Sequence, residues 1–391
     1  MSSVLRVEGG HPLRGEITVR GAKNFVPKAM VASLLADTPS ELYNVPLIRD
    51  VDVVSDLLGL HGVTADFDQD RGTMMLDPTN VKIASRSDID TLAGASRIPI
   101  LFCGPLLHQL GEAFIPELGG CAIGGRPIDF HLDTLRKFGA VVDKRPDGVR
   151  IRRPASGLHG AIISVDTDRT IRIEGVGKLR GYRHTALPDR IEAASWAAAA
   201  LATHGDIYVR GALQPDMTTF LNTFRKVGGA FDIDADGIRF YHPGERLHSI
   251  ALETAVHPGF MTDWQQPLVV ALTQADGLSI VHETVYENRF GFASALRQMG
   301  ATIQVYRECL GGTPCRFGQR NFFHSAVISG PTPLHAADIE VPDLRGGFSH
   351  LIAALAARGT STVSGIDVIS RGYEHFTRKL HQLDARVSYV D

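Results

Sequence analysis

The chain has 391 residues, 44% of them hydrophobic and 21% charged, a balance that suits a soluble globular protein of two or three domains with sizeable cores. Its net charge of −3 supplies no global basic field for nucleic acid. No apolar run reaches the ~18 residues of a membrane span, and Met1 to Arg6 lack the apolar core of a signal peptide, so a cytoplasmic location is expected.

Cys103, Cys121, Cys309 and Cys315 form no C-x-x-C pair and no dense framework, which fits a reducing compartment. Sixteen histidines are scattered without H-E-x-x-H or a Cys/His cluster at zinc spacing. Neither a metal nor a cofactor is expected from these patterns.

In chain order the sequence repeats with a period of roughly 65 to 70 residues. Each unit reads as a strand, an apolar helix, a strand, a second helix ending near Gly-Ala, and two short strands. The first runs from Ile17 to about Asn80, with one helix over Val26–Ala36 and another from Arg49-Asp50 to His61-Gly62. The second spans Arg86 to Ser156, with helices Ile98–Leu110 and Ile128–Phe138. Three more follow the middle of the chain: Tyr182 to Asp232, His257 to Ile303, and Pro342 to Val387. Strands alternating with helices at this spacing predict α/β units.

The third unit is broken. Between Gly157 and Lys178 there is strand material but no helix, and about 45 residues are missing by comparison with the neighbouring units. Gly160 to Ser164 reads equally as the opening or the closing strand of a unit.

Charges recur at the helix starts. Before the first helices stand Lys23, Arg97, Asp189-Arg190, Asp263, and Asp343 with Arg345; before the second stand Arg49-Asp50, Arg126, Asp216, Arg289 and Arg371. Capping accounts for Asp but gives no reason for Arg. Helix N-termini that share a direction, loaded with Lys and Arg, predict an anion-attracting face. One cysteine stands apart: Cys121 sits between Gly119-Gly120 and Gly124-Gly125, five residues before Arg126, in a mobile stretch whose cation favours thiolate.

These strings resemble the enolpyruvyl transferases. The resemblance is carried by Gly21-Ala22-Lys23-Asn24, Gly119 to Pro127, Leu187-Pro188-Asp189-Arg190, His257-Pro258-Gly259-Phe260 with Thr262-Asp263, Glu287-Asn288-Arg289, Asp343-Leu344-Arg345 and Arg371-Gly372-Tyr373-Glu374. They span nearly the whole chain and keep the family's order. The Gly-Gly-Cys loop favours the peptidoglycan branch, which uses phosphoenolpyruvate and UDP-N-acetylglucosamine, over the shikimate branch.

The resemblance implies an inside-out α/β barrel of two domains, 22–181 and 1–21 with 182–391, each built from three βαβαββ units, with the active site in the cleft between them. It implies that Lys23, Arg126 and Arg371 contact phosphoenolpyruvate, assisted by Arg97 and Arg345, and that Asp263 is the general base. Asn24 and Arg289 would position the sugar nucleotide, with Asp343 also among the substrate-binding residues. Cys121 would serve C3 protonation, a covalent phospholactoyl adduct and product release, and would be the target of fosfomycin-type epoxides. The implied partners are these two substrates, with no nucleic acid and no membrane. The sequence departs from the family in its third unit, where the Ser-Val-Gly string that holds uridine is absent. That departure keeps open a phosphoenolpyruvate-binding scaffold of the same fold, or transfer to another alcohol.

Overall fold

A computed structural model describes residues 3–85, 87–89, 97–116, 128–153, 178–312, 315, 317 and 321–390, and the backbone of 160–165 and 171–176. Contacts divide the chain into two compact units, one made of Met1–Arg20 with Pro188–Asp391, the other of the described residues between Gly21 and Leu187.

The chain opens with β1 (Val4–Gly9), β2 (Arg14–Thr18), α1 (Val26–Ala32), β3 (Ser40–Tyr43), α2 (Arg49–Leu60), β4 (Thr64–Asp68) and β5 (Thr73–Asp77). It continues through α3 (Pro99–Leu110), β6 (Glu112–Pro116), α4 (Asp129–Lys137), β7 (Val141–Arg145) and β8 (Gly148–Arg152). Then come β9 (Gly160–Val165), β10 (Ile171–Val176), β11 (Arg183–Thr185), α5 (Arg190–Ala202), β12 (Asp206–Arg210), α6 (Gln214–Val227), β13 (Ala230–Ile233) and β14 (Gly237–Tyr241). The fifth repeat holds β15 (Ala251–Glu253), α7 (Thr262–Leu272), β16 (Gly277–His282), α8 (Ala293–Gln298), β17 (Thr302–Tyr306) and β18 (Ser325–Gly330). The last holds β19 (Asp338–Glu340), α9 (Leu344–Ala356), β20 (Gly359–Ser364), a 3-10 turn Ile366–Arg371, α10 (Phe376–Gln382) and β21 (Arg386–Val390).

Each repeat of the larger unit builds a small mixed sheet. In the larger unit the orders are β13-β14-β12-β2, β15-β16-β18-β17 and β19-β20-β1-β21. One edge pair in the first two sheets is parallel, as is β19 on β20, and the remaining pairs are antiparallel. The parallel pairs β15–β16 and β19–β20 enclose α7 and α9, so each is a compact β-α-β crossover.

Two strands change places. β2 precedes α1 and β3 in the chain, yet it pairs in parallel with β12, setting buried Ile17 opposite Val209. β11 precedes α5 and β12, yet it pairs in parallel with β3. Each therefore completes a sheet begun by the other's repeat, and contacts divide the units after Leu187.

Helices α5, α7 and α9 occupy the middle of the larger unit, and almost every residue along them is buried. A helix apolar on all sides has no solvent face, and the alanine run of α5 lets its neighbours come close. Trp196 packs edge-on against Phe348 at 4.9 Å, joining α5 to α9. The sheets lie outside these helices, with strand residues alternating between buried and exposed. A buried ion pair of 2.6 Å, Lys379 to Glu192, ties α10 to α5, and the Trp196 indole N–H donates to the same carboxylate at 3.1 Å.

The expected first helix is shorter than its apolar run: Ser33–Leu35 tightens into a 3-10 turn after α1. In the smaller unit the sheets are β11-β3-β5-β4 and β6-β8-β7, with α1, α2 and α3 against one apolar core. The third repeat contributes only β9 and β10 among the described residues. They pair antiparallel, Ile163 opposite Ile173, the arrangement of the closing hairpin β4–β5 rather than of a parallel opening strand.

Candidate functional site

In the smaller unit the string Gly21 to Asn24 is fixed by two backbone hydrogen bonds, and the Asn44 side chain ties its own strand to Ala186. Gly21 N–H donates to the Asn44 carbonyl at 2.9 Å, Ala22 N–H to Leu187 at 2.8 Å, and Asn44 Nδ2 to the Ala186 carbonyl at 2.8 Å. A Cβ on residue 21 would stand 2.2 Å from the Asn44 oxygen, so only glycine fits. Lys23 is thereby held at the start of α1, where its ammonium pairs with the Asp50 carboxylate in the first turn of α2. Both side chains are about nine-tenths buried, at 12% and 11% exposure. Asn24 presents its carbonyl to the ammonium of Lys28, whose pKa burial pushes down. Arg97 lies two residues before α3.

The larger unit assembles a carboxylate between two guanidiniums. Asp263 stands in the first turn of α7 and accepts from Arg289 Nη2 through Oδ1, while its Oδ2 lies 3.8 Å from Arg345 Nε. Arg289 and Arg345 are buried, at 2% and 5% exposure. The buried Arg289 Nε and Arg345 Nη1 have no acceptor among the described residues. An unmatched buried donor is costly, and two cationic ones beside a helix N-terminus form a ready anion receptor.

Arg345 itself is placed by its helix. Asp343 caps α9, accepting from Arg345 N–H at 2.9 Å and Gly346 N–H at 3.1 Å, and Asp189 caps α5 in the same way. Asp343 thus acts on the helix through its cap. The Arg345 guanidinium lies over the Tyr373 ring at 5.4 Å, and that ring stacks on Phe348 at 4.1 Å. Burial works against the Arg345 charge, but Tyr373, Asp263 and Asp189 outweigh it and raise its pKa above the ordinary value. Arg371 ends the 3-10 turn two residues before Tyr373. The repeat therefore brings Asp263, Arg289 and Arg345 into one cluster and seats Arg371 on the segment that packs against it.

One positioning residue escaped sequence reasoning. Glu283, fully buried, accepts from Thr262 Oγ1 at 2.8 Å and Gln265 Nε2 at 3.1 Å on α7, and from the Val285 and Tyr286 amides at 2.7 and 3.0 Å. It fastens the Glu287-Asn288-Arg289 loop to the helix that carries Asp263. Its only sequence signal is an acidic residue directly after an apolar strand.

The cysteines separate by environment. Cys103 is buried in α3, and burial pushes its thiol up to about 11. At neutral pH that keeps it the protonated, unreactive thiol. Cys121 and Arg126 lie outside the described residues. The sequence holds no Cys/His cluster at zinc spacing, yet in space His282, Cys309, Cys315 and His324 place their ligand atoms within 4.8 Å of one another. Strand pairing brings them together from separated positions, so no local spacing announces them.

With this geometry in hand, comparison with known proteins is direct. The family model of EPSP synthase (3-phosphoshikimate 1-carboxyvinyltransferase) matches residues 7–153 and 155–380. The chain is similar to UDP-N-acetylglucosamine 1-carboxyvinyltransferase of Protochlamydia amoebophila, 43% identical with 99% of this chain and 94% of that one aligned. The protein of that name from Azorhizobium caulinodans is 33% identical, with 99% of each covered. The Protochlamydia alignment runs over 441 positions, about fifty more than the 391 residues here, in keeping with the shortened third repeat. Among solved structures, the enolpyruvyl transferase NikO from Streptomyces tendae superimposes with a TM-score of 0.84 at 19% identity, covering 100% of this chain and 99% of that one. EPSP synthase from Acinetobacter baumannii gives 0.69 at 16%, covering 100% of both. The two-unit α/β fold and the resemblance read from the sequence are both borne out: the chain belongs to the EPSP synthase family of carboxyvinyltransferases.

Proposed function

We propose that the protein transfers the enolpyruvyl group of phosphoenolpyruvate to the 3'-hydroxyl of UDP-N-acetylglucosamine, releasing phosphate, as a committed step of peptidoglycan synthesis. The observation that carries this reading is the Asp263 cluster: one carboxylate shared by two buried arginines with donors to spare. Such a group can take a proton from a hydroxyl and balance the anionic charge of phosphate and carboxylate in the same place. The names of the relatives, from Protochlamydia and Azorhizobium, supply the substrates.

In this reaction the 3'-oxygen bonds to C2 of phosphoenolpyruvate, C3 gains a proton, and a tetrahedral intermediate forms. C3 then gives up a proton as the C2–O bond to phosphate breaks. Asp263, its carboxylate held between Arg289 and Arg345, takes the hydroxyl proton. Lys23, Arg97, Arg126, Arg345 and Arg371 balance the phosphate and carboxylate, and Asn24 and Arg289 orient the nucleotide. Cys121 serves proton transfer at C3. The reaction is assigned to the cytoplasm.

A fosfomycin-type epoxide is expected to alkylate Cys121 ahead of Cys103, Cys309 and Cys315, faster with sugar nucleotide present. Peptide mapping by mass spectrometry checks this, and label on Cys103 in the folded protein at neutral pH contradicts the burial of that thiol. Calorimetry with UDP-N-acetylglucosamine, followed by phosphate release on adding phosphoenolpyruvate, tests the function itself. Binding with release supports it. Binding without release identifies a scaffold of the same fold, the reading favoured by the hairpin that replaces the third repeat. Absence of both indicates a damaged site or one retargeted to another acceptor alcohol.

A further inference from the structure

We propose that His282, Cys309, Cys315 and His324 form a structural zinc site that fastens the long β17–β18 connection to β16. That connection runs over residues 307–324, whereas the corresponding hairpins turn within 146–147 and 234–236. A loop of that length beside short homologous ones gains most from a cross-link. His282 ends β16 and lies opposite Ser325, the first residue of β18, so the strand register brings His282 and His324 together, their rings 5.6 Å apart.

The donor atoms are already gathered. Cys309 Sγ lies 3.2 Å from Cys315 Sγ and 3.3 Å from His324 Nε2, and all four ligand atoms fall within 4.8 Å of one another. Tetrahedral zinc, with Zn–S of about 2.3 Å and Zn–N of about 2.0 Å, holds its ligand atoms about 3.3–3.8 Å apart. The sulfur separation is far beyond the ~2.05 Å of a disulfide.

The histidines are arranged as ligands. His324 Nδ1 lies 2.8 Å from the Phe322 carbonyl, and donation there leaves Nε2 as the lone-pair nitrogen facing Cys309. His282 is fully buried, and neither ring nitrogen has a hydrogen-bond partner among the described residues. A buried imidazole without a partner is expensive, and a metal satisfies it.

The loop is shaped around that ring. A Cβ at Gly311 would lie 2.1 Å from His282 Nδ1 and 2.6 Å from Glu253 Oε1, so only glycine passes there. Gly312 N–H donates to the Glu253 carboxylate, and Ser325 Oγ, bonded to Leu310 N–H and the Glu308 carbonyl, holds the peptide on either side of Cys309. Two thiolates and two neutral imidazoles match zinc in charge and softness, and four protein ligands close the coordination shell. None of the four belongs to the Asp263 cluster, so the site stands independently of the proposed reaction.

The test uses full-length protein purified under reducing conditions without chelator. Elemental analysis is expected to give one zinc per chain. Cobalt added to the metal-free protein is expected to give intense visible bands of tetrahedral coordination with thiolate charge transfer, saturating at one equivalent. Cys309→Ser and Cys315→Ser alter a loop whose Cys309 is exposed and Cys315 half-buried, so the fold remains to be measured, with circular dichroism as control. Each is expected to weaken zinc affinity on the order of a hundredfold or more and to diminish the charge-transfer band. Metal-free reduced protein that takes up no zinc, a weak octahedral cobalt spectrum, unchanged affinity in both variants, or a stoichiometric Cys309–Cys315 disulfide despite reductant would each overturn the assignment.

Discussion

Replacing Asp263 by asparagine is expected to lower kcat for phosphate release by about 10²–10⁴-fold, the range spanned by positioned general bases. The amide keeps the shape and can still accept from Arg289, but it cannot carry the hydroxyl proton away. The same change withdraws the negative charge that Arg289 and Arg345 share, and both side chains are nearly solvent-free, at 1% and 6% exposure. Breaking a buried ion pair typically costs about 3–5 kcal/mol. The variant should therefore also melt earlier, and turnover has to be read in single-turnover experiments at a temperature where both proteins are folded. Asp263→Glu preserves charge and is expected to recover the stability more fully than the rate, because the longer side chain displaces the proton-accepting oxygen. Full turnover by the asparagine variant would confine Asp263 to a structural role.

Glu283→Ala is expected to destabilise the protein by about 4 kcal/mol, because the four donors that converge on its carboxylate lose their acceptor inside the fold. A loss of that size takes a large part of the ~5–15 kcal/mol margin of a typical domain. It corresponds to a fall of roughly 8–16 °C in Tm for a unit of about two hundred residues. Because Glu283 fastens the loop carrying Arg289 to the helix carrying Asp263, kcat should fall as well, although Glu283 need not touch either substrate. Glu283→Gln keeps the volume but turns an amide NH2 toward donors, so it should restore only part of the loss. Differential scanning calorimetry checks the series; a Tm within about 1 °C of the parent for the alanine variant contradicts the proposed anchoring.

The parts of this fold that depend on local pattern were legible in the sequence. The spacing of Val51, Val54, Leu57 and Leu58 marks the buried face of α2, and the alanine-rich stretch from Ile191 to Ala202, polar only at Glu192 and Ser195, marks a helix with no solvent face. Asp189 and Asp343 were readable as helix caps, and both are. Partnerships across the chain were not legible. Nothing in Ile17 announces that it will face Val209, since its alternation is satisfied by any sheet.

The candidate site divides along the same line. Asp263, Arg289 and Arg345 each stood at a helix start or in a recurring string, but their convergence follows from the packing of α7 and α9, which no single string encodes. Glu283 and the Cys309 cluster were missed because their partners come from neighbouring strands and loops. Cys121 and Arg126, prominent in the sequence, fall outside the described residues, so their roles rest on the resemblance alone.

The most direct test of the central claim is identification of the product after incubation with phosphoenolpyruvate and UDP-N-acetylglucosamine. Mass spectrometry is expected to find the nucleotide heavier by one enolpyruvyl group, attached as an ether at the 3'-oxygen, in amounts equal to the phosphate released. Recovery of unmodified nucleotide and intact phosphoenolpyruvate, from protein shown to be folded, would contradict it.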